Sequence, residues 1–282
     1  MPKPLLTRRK AAWRNQFKPD ILRGDALAPN MSVAVRYHER LINLIQKMVD
    51  ETESELKKLY KTEHAEAYFA EDASIASQAR IITNMLQEKY MHLFRMSASW
   101  IAETFAKESD KASSKSVHLS LKKLSGGLSI PTAAISGELT DIIKATVAEN
   151  VALIKSIPQQ YLGNVQQAVM RSIVGGGKTH LVTYLQKQHH LTYARAKMIT
   201  LDQTRKAYQG MSAERIRRAG VKCFEWRHVP SNHPRKLHEE LDGKIFEYAK
   251  PPIIDKITGE KGLPGQLINC RCMALPVITF VE

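Results

Sequence analysis

His233, His238, Cys270 and Cys272, near the C-terminal end of this 282-residue chain, have the types and spacing to act together as one set of metal ligands. Two imidazoles and two thiolates satisfy a closed tetrahedral zinc site, with a cation that brings no redox chemistry of its own. The same residues also permit a metal-free reading, in which the thiols are buried packing groups and the histidines are hydrogen-bonded. One residue between the cysteines is a shorter gap than paired zinc thiolates usually have, and a disulfide across it would be strained. Structural zinc is therefore the candidate metal, and no other cofactor is indicated.

Two further constellations invite chemistry and fall short of it. Gly175-Gly176-Gly177-Lys178-Thr179 has the glycines, lysine and hydroxyl of a phosphate-cradling loop, but the pattern requires glycine at 172, where Ser172 stands. The residues before it are also helix-patterned where a strand should feed such a loop, so the run reads as a hinge that uses glycine's freedom. His228, Asn232-His233 and the spacing from Gly265 through Leu267 to Asn269 echo a His-Asn-His nuclease, in which histidine activates water beside a divalent metal. Arg227 stands where an acidic ligand would be wanted, and no histidine follows Asn269. The expectation is a protein that is not an enzyme, with a metal-dependent nuclease as the alternative.

Elements must position these residues, and apolar spacing locates them. Tyr37, Leu41, Leu44, Ile45, Met48, Leu56 and Leu59 recur at three and four residues, as do Ile75, Ala79, Ile82, Leu86, Tyr90, Leu93, Trp100, Ile101 and Phe105. Each set is one face of a long helix. Residues 107–131, rich in Ser and Lys and closed by Gly126-Gly127 and Pro131, break the pattern and read as a linker or exposed loop. The helical stripe resumes from Ile135 to Ile154, breaks at Pro158 and restarts through Tyr161 to Ile173. Beyond the glycines, Thr192 and Ser212 are candidate caps of two further helices, the second ending at Gly220. Strand signals come last: Phe224 and Trp226 alternate with charged neighbours, Asp242-Gly243 is a turn before Lys244-Ile245-Phe246, and Met273–Val281 is β-rich. The expected fold is α+β, with a basic arm over 1–30, a helical domain over 31–175 and a small antiparallel-sheet module over 176–282.

Lys plus Arg number 42 against 28 Asp plus Glu, a formal charge of +14. That excess favours an acidic protein surface or double-stranded DNA as partner. Arg8, Arg9, Lys10 and Trp13 in the arm, and Arg215, Arg217, Arg218 and Arg235 in the last third, are the candidate contacts. A stand-alone basic DNA-binding protein is the other alternative, although no helix-turn-helix or zinc-finger spacing supports it. Three cysteines are too few for a disulfide scaffold, no secretory leader is visible, and no apolar run is long enough for a membrane span. The cytoplasm is the expected compartment, with neither membrane nor small-molecule substrate as partner.

Taken in order, Leu201-Asp202-Gln203-Thr204, Cys223 to His228, His233-Pro234-Arg235-x-x-His238, Leu241 to Phe246, and Pro264 to Cys272 followed by Pro276 resemble the C-terminal module of the phage Mu F-like minor head proteins, or head morphogenesis proteins. The resemblance spans about residues 190–280 and agrees in several spaced elements at once. It implies a minor capsid protein that acts in head morphogenesis and enters the procapsid or virion in a few copies. It also implies association with the portal protein and other capsid or scaffold proteins, and an influence on packaged DNA. Family variants with Cys-x-x-Cys at the positions of Arg235 and His238 imply a metal-like role for His238, Cys270 and Cys272.

Overall fold

The computed structural model describes residues 21–59, 73–127, 137–172 and 177–279. It is mostly helical with one four-stranded antiparallel sheet, as the α+β expectation requires. In chain order the elements are β1 (Ile21–Arg23), α1 (Met31–Leu59), α2 (Ala73–Leu124), α3 (Gly137–Arg171), α4 (Gly177–Arg218), β2 (Cys223–Arg227), α5 (Lys236–Glu240), β3 (Ile245–Glu247) and β4 (Met273–Thr279). Among the described residues no helix is long and apolar enough to cross a membrane.

Helix α1 begins where Asn30 caps it, its side-chain oxygen accepting the Ser32 N–H at 3.1 Å. Its buried face, from Val33 and Tyr37 through Leu41, Ile45 and Met48 to Leu59, follows the spacing read from the sequence. The second stripe falls largely where it is expected, with Leu93 and Trp100 as the exceptions. Helix α2 buries Leu86, Tyr90, Phe94, Ala98, Ile101 and Phe105, while Trp100 is 61% exposed and Leu93 is also exposed. Tyr37 stacks on Phe105 with ring centroids 4.4 Å apart, and the Tyr37 hydroxyl donates to buried Asn150 at 2.8 Å.

The stretch expected as a linker is helix as far as Leu124, and only its end, Gly126 and Gly127, turns out of the helix with positive φ. Residues 128–136 lie outside the described residues. The reason is the chemistry of its buried face. Ser109, Ser113 and Ser120 occupy core positions beside Val117, Leu121 and Leu124, so small hydroxylated side chains stand where a hydrophobicity pattern looks for apolar ones. Ser120 Oγ accepts the Asp25 N–H at 2.9 Å and donates to the Asp25 carbonyl at 3.0 Å, which ties α2 to the segment after β1.

Two other expected breaks are continuous helix. Pro158 lies inside α3, where it removes one backbone bond. Buried Ile154, Ile157 and Tyr161 hold the helix in line on either side of it. Thr192 and Ser212 lie inside α4, and Thr192 returns its hydroxyl to the Gln188 carbonyl at 2.8 Å instead of capping a helix start. The expected hinge at Gly175 and Gly176 lies outside the described residues, and Gly177 opens α4. Gly220, at φ +85°, ends the helix as expected, with the Val221 N–H bonded back to the Ile216 carbonyl.

The sheet order is β1-β4-β2-β3. Phe224 pairs with Phe246 on one side and Pro276 on the other, and Trp226 pairs with Ala274. The last ten residues of the expected arm, 21–30, are built into this module. β1 pairs with β4, Arg23 meets buried Glu225 at 2.7 Å, and Leu27 is 1% exposed with its N–H bonded to Ala274. Residues 1–20 lie outside the described residues.

Two hydrophobic cores result. One joins α1, α3 and the first parts of α2 and α4; the other joins Leu27, the last turns of α2 and α4, and the sheet. Because α2 and α4 run through both, residue 175 does not separate two independent cores. Leu27→Ala should cost about 2–5 kcal/mol, the range for emptying a buried leucine site, measured by urea unfolding. A change below about 0.5 kcal/mol would show that this segment is peripheral.

Candidate metal centre

His238 from α5 and Cys270 and Cys272 from the loop before β4 come together, all three buried, with their ligand atoms within 4.8 Å of one another. His238 projects from the single turn of α5. Its Nε2–H donates to the Ile254 carbonyl at 3.0 Å. A carbonyl can only accept, so this bond fixes the tautomer and leaves Nδ1 facing the sulfurs. Nδ1 is 3.4 Å from Cys270 Sγ and 3.7 Å from Cys272 Sγ. Trp226 packs edge-on against the imidazole with centroids 5.2 Å apart. This cluster is consistent with a structural zinc site, its buried imidazole oriented by a backbone carbonyl as metal-bound histidines usually are.

The loop carrying the cysteines is held by local conformation and by α4. Asn269 has φ 60°, and its N–H donates to Asp202 Oδ1 at 2.8 Å. Gly265 has φ +82°, a conformation that strains any other residue, and a Cβ there would also press to 3.2 Å on the Gln209 side chain of α4. Burial pushes the Asp202 carboxyl up, opposed by the Asn269 N–H and the Arg205 charge. The contact from Cys272 holds the Cys270 thiol down against its burial, with help from His238 and from the backbone of Cys272 and Gly265. The same contact and burial push Cys272 up.

The expected fourth ligand does not join the cluster. His233 is exposed on the loop before α5 and lines the rim of a cleft of about 620 Å³. His228, at the end of β2, instead places Nδ1 3.6 Å from Cys272 Sγ. Its backbone N–H donates to Asp242 at 2.8 Å, so the Asp242-Gly243 turn positions it.

The basic candidates separate in the same way. Arg215 is not a surface cation. Its side chain is 5% exposed and holds Asp110 and Ser113, each at 2.5 Å. Arg217 and Arg218 both meet Glu214, at 2.9 and 2.6 Å. Arg235 is exposed at the cleft and donates to the Ile268 carbonyl at 3.0 Å. Arg8, Arg9, Lys10 and Trp13 lie outside the described residues.

Fold and donor set together define a class: a mostly helical protein whose small antiparallel module holds a Cys–His cluster beside a basic cleft. Within that class, residues 163–275 match the family described as Phage Mu protein F like protein, a span that includes every member of the cluster. A Haemophilus influenzae protein described as uncharacterized is 29% identical over 279 residues, covering 98% of this chain and 58% of that protein. The chain thus spans little more than half the length of this relative. No solved structure matches.

Two substitutions test these assignments. Asp202→Ala should destabilise the protein by about 0.5–1.5 kcal/mol, the net worth of a hydrogen bond whose Asn269 donor is exposed, and should speed modification of Cys270 by a thiol reagent. Asp202→Asn keeps an acceptor and should do less of both. Equal behaviour of the two variants would remove Asp202 from the loop's support. Arg215→Ala should cost about 2–4 kcal/mol in chemical denaturation because it strands a buried partner, against under about 1 kcal/mol for exposed Lys256→Ala.

Proposed function

We propose that this protein is a phage minor head protein that acts in head morphogenesis, residing in the procapsid or virion in association with the portal protein. The observation that carries this reading is the match of residues 163–275 to the Mu F-like family. Supporting it, the residues that carry the resemblance have structural work to do. Asp202 ties α4 to the cysteine loop, Trp226 flanks the His238 ring, and Asp242 positions His228. A module whose distinctive residues maintain its own architecture suits an assembly component.

The donor set argues against the nuclease alternative. The residues lining the cleft offer Ser231, Asn232 and Asn269 as neutral oxygen donors but no carboxylate, the usual anchor of magnesium. Thiolates and imidazoles select zinc. The stand-alone DNA-binding alternative loses support from Arg215, Arg217 and Arg218, whose charges already meet Asp110 and Glu214. Contact with portal carboxylates or DNA phosphates then falls to the arm, with Arg8, Arg9, Lys10 and Trp13, and to the cleft rim at Arg235.

Mass spectrometry of purified procapsids and virions is the test. The chain should be present at low copy relative to the major capsid protein, and consistent absence from both particles would sink the assembly reading. In parallel, a variant lacking residues 1–20 should lose retention on portal protein. Retention on random duplex DNA that falls steeply with salt in the full chain and vanishes in this variant would make the genome the partner instead.

A further inference from the structure

We propose that His228, His238, Cys270 and Cys272 form a four-coordinate zinc site that joins the end of β2, the turn of α5 and the start of β4. The inference is independent of the head-assembly reading and stands whether or not that reading holds.

Distances carry it first. Zinc–sulfur bonds of about 2.3 Å and zinc–nitrogen bonds of about 2.0–2.1 Å at tetrahedral angles require sulfur and nitrogen ligands to lie about 3.5–3.6 Å apart. The three short contacts are 3.4, 3.7 and 3.6 Å, for His238 with Cys270, His238 with Cys272, and His228 with Cys272. His228 lies outside the compact trio. Rotation of its side chain, with its backbone held by Asp242, closes the set.

The surroundings of the sulfurs point the same way. The indole N–H of Trp226, on a fully buried ring, has no conventional hydrogen-bond partner and is turned toward Cys272. The backbone of Val229 also faces Cys272, and the backbones of Gly265 and Cys272 face Cys270. Amide and indole N–H donors gathered around two sulfurs stabilise thiolates. Two adjacent buried thiolates repel one another unless a cation lies between them.

On binding, two S–H bonds break and their protons leave to solvent. Two Zn–S bonds form, and two neutral imidazoles each add a lone pair through Nδ1. No oxidant or reductant is needed. The net charge of the site becomes zero, which removes the electrostatic penalty of burying it. His233, despite its nearer sequence spacing to His238, stays on the rim.

The test uses the full chain purified under reducing conditions without chelator, then loaded with zinc or with cobalt as a spectroscopic substitute. We expect about one metal per chain and the visible bands of tetrahedral cobalt with thiolate ligation. His228→Ala should weaken zinc by more than the about 10–100-fold typical of losing an outer-shell partner, measured by competition with a chromophoric chelator, and should alter the cobalt bands. His233→Ala should change neither. His228 is partly exposed, so its removal leaves the folded core in place even if Cys270→Ser prevents folding. Less than about a tenth of an equivalent of zinc after reconstitution would overturn the site. Unchanged affinity and bands in His228→Ala would overturn its four-ligand form.

Discussion

Two adjacent residues of α4, Asp202 and Gln203, reach into different parts of the molecule, and the arrangement of everything else depends on that divergence. Neighbouring residues on an α-helix point about 100° apart, so one helix can serve two surroundings at once. Gln203 accepts from buried Asn150 at 3.0 Å, and Asn150 accepts from Tyr37 at 2.8 Å, which joins α1, α3 and α4 through one polar chain in the helical core. Asp202 accepts from Asn269 and holds the loop that presents both cysteines. Rotating or sliding α4 would strand Asn150 without its partner and pull the loop from its support together. The buried amide makes this costly, since an unpaired polar group in a core loses about 1–3 kcal/mol. The cysteine loop is therefore set in register with the helices.

What could be read from the sequence follows from which physical signals are local. The strands were legible because alternation and the Asp242-Gly243 turn act over a few residues, and β2, β3 and β4 fall where those signals lie. Helical stripes were legible wherever the buried face is aliphatic or aromatic. They failed over 107–124, where the buried face is partly serine and the hydroxyls find partners far along the chain, Arg215 for Ser113 and Asp25 for Ser120. The same blindness made caps of Thr192 and Ser212: both lie within α4, and a hydroxyl such as that of Thr192, which bonds its own helix, is indistinguishable in sequence from one that starts a helix. β1 is three residues long, and its partner stands some 250 residues away, so nothing local separates it from the basic run before it.

The site was legible in kind and not in full. With three cysteines in 282 residues, Cys270 and Cys272 stood out by type beside His238, and the structure brings the three together. Choosing between His233 and His228 needed the third dimension. His233 has the suggestive spacing to His238, yet it sits on an exposed loop, while His228 directly follows a strand paired with the one that follows Cys272. Strand pairing brings Arg227 opposite Met273, which sets the residues flanking them, His228 and Cys272, side by side. That proximity is a property of antiparallel register and is invisible to counting along one chain.

Charge shows the same limit with a sharper consequence for function. A count of lysines and arginines treats every cation as available, whereas Arg23 and Arg227 both serve buried Glu225, Arg215 serves Asp110, and Arg217 and Arg218 share Glu214. Arg23 ties β1 to β2 and Arg215 ties α4 to α2, while the other pairs lie within β2 or α4, so part of the basic character of the last third is already matched inside the fold. The cleft beside the cluster differs. Arg205, Arg235 and Arg271 line it together with His228 and His233, and of the three Arg205 meets a carboxylate, Asp202, at 3.4 Å from outside the lining. With zinc bound by two thiolates and two neutral imidazoles the metal centre is neutral, so the positive character of the rim is unchanged by the ion beneath it. The two features then divide their roles: the cluster fixes the shape of the module, and the rim keeps a positive potential suited to an acidic protein surface or a nucleic-acid backbone.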